Sequence, residues 1–210
     1  MSLCTTTWTA PECGALFIVT GASGTGKTTL VRKALQTIPG LCFSVSATTR
    51  PIRAGEVDGV DYHFLDRETF MARVEAGEFL EWAEVYGNCY GTLSGPVKTT
   101  IATGQSILLD IDTQGAAQVR ASGTAHVSIF VLPPSIATLS ARLAKRATDN
   151  NEVIARRIEE ANLQLSECGT FDYLVVNDKL GSAHDQFQAV LLAELMRSHR
   201  HPGLVSRFSG

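Results

Sequence analysis

The chain has 210 residues, 44% hydrophobic and 19% charged, with a net charge of −3. That length suits one domain, or one core carrying small insertions, and that balance suits a soluble globular protein able to bury a real core. Without a basic excess a nucleic-acid backbone is not an expected partner, whereas a small anionic ligand needs only a few local cations.

The opening "MSLCTTTWTAPECG" lacks the basic n-region of a secretory signal. No apolar run approaches the ~18 residues of a membrane span, so no membrane partner is expected. Cys4, Cys13, Cys42, Cys89 and Cys168 are scattered without zinc or redox spacing, which suits reduced thiols in a cytoplasmic protein. The first dozen residues and the tail "HRHPGLVSRFSG" read as loose ends.

In chain order, "ALFIVT" (15–20) is a short apolar, β-branched run that reads as a buried strand. "GKTTLVRKALQTI" (26–38) carries apolar residues at helical spacing and is stopped by Pro39-Gly40. "CFSVSATT" alternates like one strand, "DYHFLD" and "FLEWAEVYGNCYG" are strand-like, and "RETFMARVEAGE" between them reads as a helix closed by Gly77. "SGPVKTTIATG" is a helix with Pro96 in its first turn. "SILLDI" (106–111), "HVSIFVLPP" (126–134) and "YLVVND" (173–178) are further buried strands. Two helical stretches fill 135–168 around a polar break, where Asp149 and Glu152 have capping-box spacing. Strands alternating with helices predict an α/β core, a parallel sheet with helices on both faces. The glycine-rich stretch 46–95 breaks the alternation and predicts an inserted mixed α/β subdomain.

Gly21-Ala22-Ser23-Gly24-Thr25-Gly26-Lys27-Thr28 fits G-x-x-x-x-G-K-[ST], with a strand before it and a helix after it. Glycines let backbone N–H groups turn inward as an anion nest, and the helix adds its positive end. Lys27 would reach β- and γ-phosphates and the Thr28 hydroxyl would ligate Mg²⁺. Thr29 follows within the same helix turn. "SILLDID" then sets Asp110 and Asp112 where ligands of open parallel sheets bind. They would hold the metal or an acceptor, or Asp112 would cap the helix that follows. Arg50 and Arg53, flanking a proline, suit a second anionic group, and Tyr62 adds a phenolic donor.

"SVSATTRPIRAGEVDGVDYHF", "FLEWAEVYGNCYGT", "LLDIDTQGA" and "YLVVND" together resemble the guanylate kinase family in order and spacing. With the phosphate loop, the resemblance spans about residues 15 to 195. It implies a P-loop core (about 13–45, 96–134 and 169–197), a GMP-binding subdomain (about 46–95) and a helical lid (about 135–168) within one domain. It implies ATP and GMP as substrates, Mg²⁺ as cofactor, and the reaction ATP + GMP → ADP + GDP. Residue by residue, it implies that Arg50, Arg53, Tyr62 and Tyr90 hold the GMP phosphate. Ser46, Glu81, Thr92 and Asp112 match positions that read guanine. Asp110 falls in the same acceptor-binding set. Arg142, Arg146 and Arg157 match basic lid positions, and Asn177 a position near the adenine of ATP. Lys27, Arg146 and Arg157 would be the catalytic cations.

The chain departs from the family where Lys145-Arg146-Ala147 stands for a frequent G-R-G, where Cys89 stands for a tyrosine and Thr92 for a serine, and where Lys179 replaces an acid. The alternatives are a P-loop kinase for another nucleotide or metabolite, and an inactive guanylate-kinase-like binding module. Monomer and homo-oligomer are both compatible with the sequence.

Overall fold

The computed structural model of the protein describes residues 10–85, 87–146 and 151–209, excepting the side chains of 143–146 and 151–155. Cys4, the Asp149–Glu152 capping box and the side chain of Arg146 lie outside the described residues. The elements run β1 (Leu16–Thr20), α1 (Lys27–Thr37), β2 (Leu41–Phe43), β3 (Ala47–Thr48), β4 (His63–Phe64), α2 (Arg67–Glu75), β5 (Phe79–Val85) and β6 (Asn88–Leu93). They continue with α3 (Ser94–Ala102), β7 (Ser106–Asp110), α4 (Thr113–Ala121), β8 (Val127–Leu132), α5 (Ile136–Arg146), α6 (Asn151–Ser166), β9 (Tyr173–Val176), α7 (Leu180–Leu195) and a short α8 (Pro202–Ser206).

A parallel sheet in the order β2-β7-β1-β8-β9 forms the centre. The period-2 alternation of β1 explains its two-sided burial. Phe17 and Val19 pack with Leu30, Val31 and Ala34 of α1 and with Phe187 and Leu191 of α7. Leu16 and Ile18 face the other way, onto Val97 of α3 and Ala116 and Val119 of α4. Because β1 has β7 on one side and β8 on the other, strand order reverses at its carboxyl end and opens a crevice there.

A second, mixed sheet in the order β4-β3-β6-β5 has its own small core of Ala47, Phe70 and Cys89, with Phe79 and Trp82 against it. α2 closes that core, started by Asp66, whose carboxylate accepts the Thr69 N–H at 2.7 Å.

Two expectations are corrected. "CFSVSATT" is two strands in two sheets: β2 pairs with β7 in the core, while β3 pairs with β6 and β4 in the second sheet. Alternation reports which face a residue takes, not which sheet its strand joins, so the break at Ser44 and Ser46 carried no periodic signal. The tail is also bound. Glu12 and Cys13 donate their N–H groups to the Arg200 carbonyl at 2.9 and 3.2 Å. The Glu12 carboxylate accepts the N–H groups of Gly203 and Leu204 at 2.9 and 3.2 Å, and His201 is buried. Its polar composition conceals bonds made to the opposite end of the chain.

Candidate active site

At the crevice the chain leaves β1 through glycines in the left-handed region, with φ +85° at Gly24 and +90° at Gly26. A Cβ on Gly26 would lie 2.3 Å from Asn177 Nδ2, so the turn and the close approach both require glycine there. Thr25 is buried, its hydroxyl donating to the Ala22 carbonyl at 2.8 Å. Among the described residues, no protein acceptor takes the backbone N–H of Gly24, Gly26, Lys27 or Thr28. These donors converge at the positive end of α1, the arrangement that binds phosphate. Residues 21–29 line this pocket of about 340 Å³, together with Asp110 and Asp112.

Lys27 folds back so that its ammonium donates to the Gly21 carbonyl, with Asp110 Oδ1 4.0 Å away. Burial holds the Lys27 pKa below the usual lysine range, an effect that Asp110 and Asp112 oppose. Burial likewise pushes the Asp110 carboxyl upward, opposed by Lys27. Both charges are kept in a partly dry site, where electrostatic effects on a ligand are larger than in water.

A second pocket, about 200 Å³, meets the first along Asp110–Asp112 and is walled by Ser46, Tyr62, Glu81 and Tyr90. Glu81 is 7% exposed. Its Oε1 accepts the Thr92 hydroxyl at 2.6 Å, and its Oε2 lies over Gly115, where a Cβ would come within 2.8 Å. Burial pushes the Glu81 pKa up, the Thr92 hydrogen bond pulls it down, and Asp112 pushes it up again. Asp112 caps α4 with Oδ1, accepting the Gly115 N–H at 2.8 Å, and also lines both pockets. Its capping role and its place in the site are therefore compatible.

Arg50 is held by Glu56, with Nη2–Oε1 at 2.7 Å and Nη1–Oε2 at 3.1 Å, and lies over the Tyr62 and Phe64 rings. The guanidinium is thus fixed beside the Tyr62–Tyr90 pair that walls the pocket. Arg53 is exposed and lies outside the walls of both pockets. Arg142 Nη2 donates to the Asn177 carbonyl at 3.4 Å, and both residues line a cleft with Gly24, Gly26 and Thr29. The Asn177 amide is committed to the loop, donating to the Thr25 carbonyl at 2.7 Å. Arg157 is half-buried on α6.

Sequence reasoning missed Glu56, Gly115 and the irregularity in β5. Phe79 pairs with Leu93 but Glu81 with Thr92, so β5 carries one extra residue at Leu80. Leu80 joins the core beneath α4 and Glu81 meets Gly115 of α4, while Phe79 and Trp82 share the opposite core. The bulge re-aims Glu81 toward the site. Its only trace in the sequence is the spacing of three between Phe79 and Trp82.

A further pocket of about 540 Å³ lies at the opposite edge of the sheet, and its carboxylates already have protein partners. Glu194 takes Arg197 and the Tyr173 hydroxyl, and Asp172 takes the N–H and hydroxyl of Ser128. Among the described residues no cluster of three or more His, Cys, Asp or Glu is set to hold a metal alone. The exposed Thr28 hydroxyl and the two aspartates around the nest are hard oxygen donors, a set that fits Mg²⁺ shared with phosphates.

The guanylate kinase family model matches residues 14–194. A guanylate kinase of Rhodopseudomonas palustris (strain HaA2) is 49% identical over 91% of this chain and 87% of its own length. One of Symbiobacterium thermophilum is 50% identical over 90% of this chain and 89% of its own. The crystal structure of guanylate kinase from Anaplasma phagocytophilum superposes with a TM-score of 0.73 at 33% identity, covering 94% of both chains. With a phosphate nest and a carboxylate-bearing pocket meeting at the end of β7, and likeness along nearly its whole length, the chain belongs to the guanylate kinase family.

Proposed function

We infer that the protein transfers the γ-phosphoryl group of ATP to GMP, giving ADP and GDP. One observation carries this reading beyond family membership: the nest and the Glu81 pocket share the wall Asp110–Asp112, so two nucleotides seated in them would face each other. The backbone donors of Gly24, Gly26, Lys27 and Thr28, with the Lys27 ammonium, bind the ATP phosphates. Guanine presents N1–H and N2–H₂ as adjacent donors, which the Glu81 carboxylate accepts together. Thr92 orients that carboxylate from the far side, and Ser46 serves the base from the opposite wall. Adenine reverses the donor pattern and leaves buried groups unpaired.

Arg50, steadied by Glu56, holds the acceptor phosphate with Tyr62 and Tyr90, and Arg53 serves the same phosphate. The acceptor is an ionised phosphate oxygen, so no strong base is needed, and catalysis is positioning and charge neutralisation. Lys27, Arg146 and Arg157 supply cations to the transferring group. Arg142 and Asn177 border the cleft proposed for the adenosine of ATP. Thr28 would hold Mg²⁺ with water and the ATP phosphates; when bound, the ion offsets charge on the β- and γ-phosphates. Residues 46–95 serve as the GMP-binding subdomain and 135–168 as the lid that excludes water. A cytoplasmic setting without a nucleic-acid partner accords with the scattered cysteines and the net charge of −3.

The test is ADP formation from ATP and Mg²⁺ with GMP, dGMP, AMP, CMP or UMP supplied singly. Turnover with GMP far above AMP is expected. Preference for another acceptor would keep the kinase and discard the Glu81 assignment. Folded protein with no acceptor-dependent turnover would point to a binding module instead.

A further inference from the structure

Among the described residues β5 is the edge strand of the second sheet, so its outward N–H and C=O groups have no strand neighbour there. At Trp82 that edge is closed by one side chain. The Gln118 amide of α4 accepts the Trp82 N–H at 3.0 Å through Oε1 and donates to the Trp82 C=O at 2.8 Å through Nε2. Gln118 thereby acts as a one-residue surrogate strand. The bonds fall directly after the bulge and one residue beyond Glu81.

Three consecutive residues of β5 are thus seated on α4. Leu80 packs with Ala116 and Val119, Glu81 stands over Gly115, and Trp82 is bonded by Gln118. If β5 kept the Phe79–Leu93 register without the extra residue, Glu81 would fall on the same face as Phe79, turned into the small core. The bulge is what aims Glu81, and the amide is what holds the strand just beyond it.

We propose that Gln118 is a positioning residue for acceptor recognition, locking β5 in the bulged register that presents the Glu81 carboxylate to guanine. The inference rests on the GMP reading of the Glu81 pocket. Glutamine suits the role because its amide offers one donor and one acceptor together, whereas a glutamate would keep the Trp82 N–H and face the Trp82 C=O with a second acceptor.

The experiment measures KM for GMP, KM for ATP and the GMP-over-AMP ratio of kcat/KM in wild type, Gln118→Leu and Gln118→Glu. Arg120→Ala is the comparison variant on the same helix, because Arg120 bonds to Thr170 away from both pockets. Gln118→Leu is expected to raise KM for GMP about tenfold and to lower the GMP-over-AMP ratio about tenfold, with KM for ATP within about twofold. Gln118→Glu moves the same quantities in the same direction, and it decides the matter if the leucine variant does not fold. Faster hydrogen exchange of the Trp82 amide should accompany Gln118→Leu, which removes its acceptor.

A folded variant with unchanged KM for GMP and unchanged acceptor ratio overturns the proposal. So does an equal loss toward ATP and GMP, which is what a merely structural role would produce. A wild type that ignores GMP overturns the functional reading, and this inference with it; wild-type GMP turnover beside an unaffected Gln118→Leu overturns this inference alone.

Discussion

Three ionisable residues at the site are held against their preference for water. Lys27 has its pKa lowered by burial, while Glu81 and Asp110 have theirs raised by it. An acid raised in the folded state binds more protons folded than unfolded, so it subtracts stability as pH rises from the ordinary value of 4.5 for Glu81 through its folded value. Glu81→Gln should therefore raise stability near neutral pH. That advantage should fade as pH falls below the folded pKa, which thermal melts at several pH values would follow. The same variant should lose GMP turnover by a factor of ~10² or more, because its amide NH₂ meets the guanine donors. In the wild type kcat/KM for GMP should decline on the acid side at a pH above 4.5. A stability gain without a GMP defect would dissociate Glu81 from recognition. Lys27→Ala should lower kcat by ~10³ through loss of charge stabilisation in the transition state, and near-normal turnover would remove Lys27 from the chemistry. Lys27 and Glu81 were both legible in the sequence, one by a spaced motif and one by resemblance. The Arg50–Glu56 pair was not, because a glutamate six residues along a loop follows no periodicity.

Among the elements, the phosphate loop is held from outside as well as from within. Thr25 hydrogen-bonds to Ala22 inside the loop, and Asn177, arriving from the end of β9, donates to the Thr25 carbonyl and occupies the space that a Cβ on Gly26 would need. Asn177→Ala should leave that carbonyl unpaired and let the loop relax. An increase of about tenfold in KM for ATP with KM for GMP little changed is expected, since small misplacements of a phosphate cradle cost binding and rate. Equal KM values for ATP in variant and wild type would mean that the loop keeps its shape without this clamp. Strand and helix identities were readable because apolar period and turn residues act locally. The Leu80 bulge and the partition of "CFSVSATT" between two sheets were not, because pairing is decided by distant strands. Gln118 escaped notice for a related reason: a glutamine on a helix reads as a solvated side chain until the edge it covers is known.

Over the whole molecule the two edges of the central sheet carry different duties. The carboxyl edge gathers the phosphate nest, Asp110, Asp112 and the mount of the second sheet, while the amino edge joins the two ends of the chain. Arg200 is central to that second task, its Nε donating to the Glu194 carbonyl and its Nη1 to the Gly14 carbonyl, at 2.9 and 2.7 Å. Burial pulls its pKa down, so the guanidinium is partly stripped of water and depends on those carbonyls. Arg200→Ala removes both bonds and loosens the 12–14 segment that meets α8 through Glu12. A destabilisation of ~2 kcal/mol is expected, lowering Tm by about 6 °C in a chain of this size. Because, among the described residues, neither bond of Arg200 involves a residue lining the nest or the Glu81 pocket, KM for ATP, KM for GMP and kcat measured well below Tm should match the wild type. A variant that melts earlier with unchanged kinetics would show the two edges to be independent. A kinetic change at temperatures where the variant is fully folded would show instead that the joined termini transmit strain along β1 and β7 to the phosphate loop.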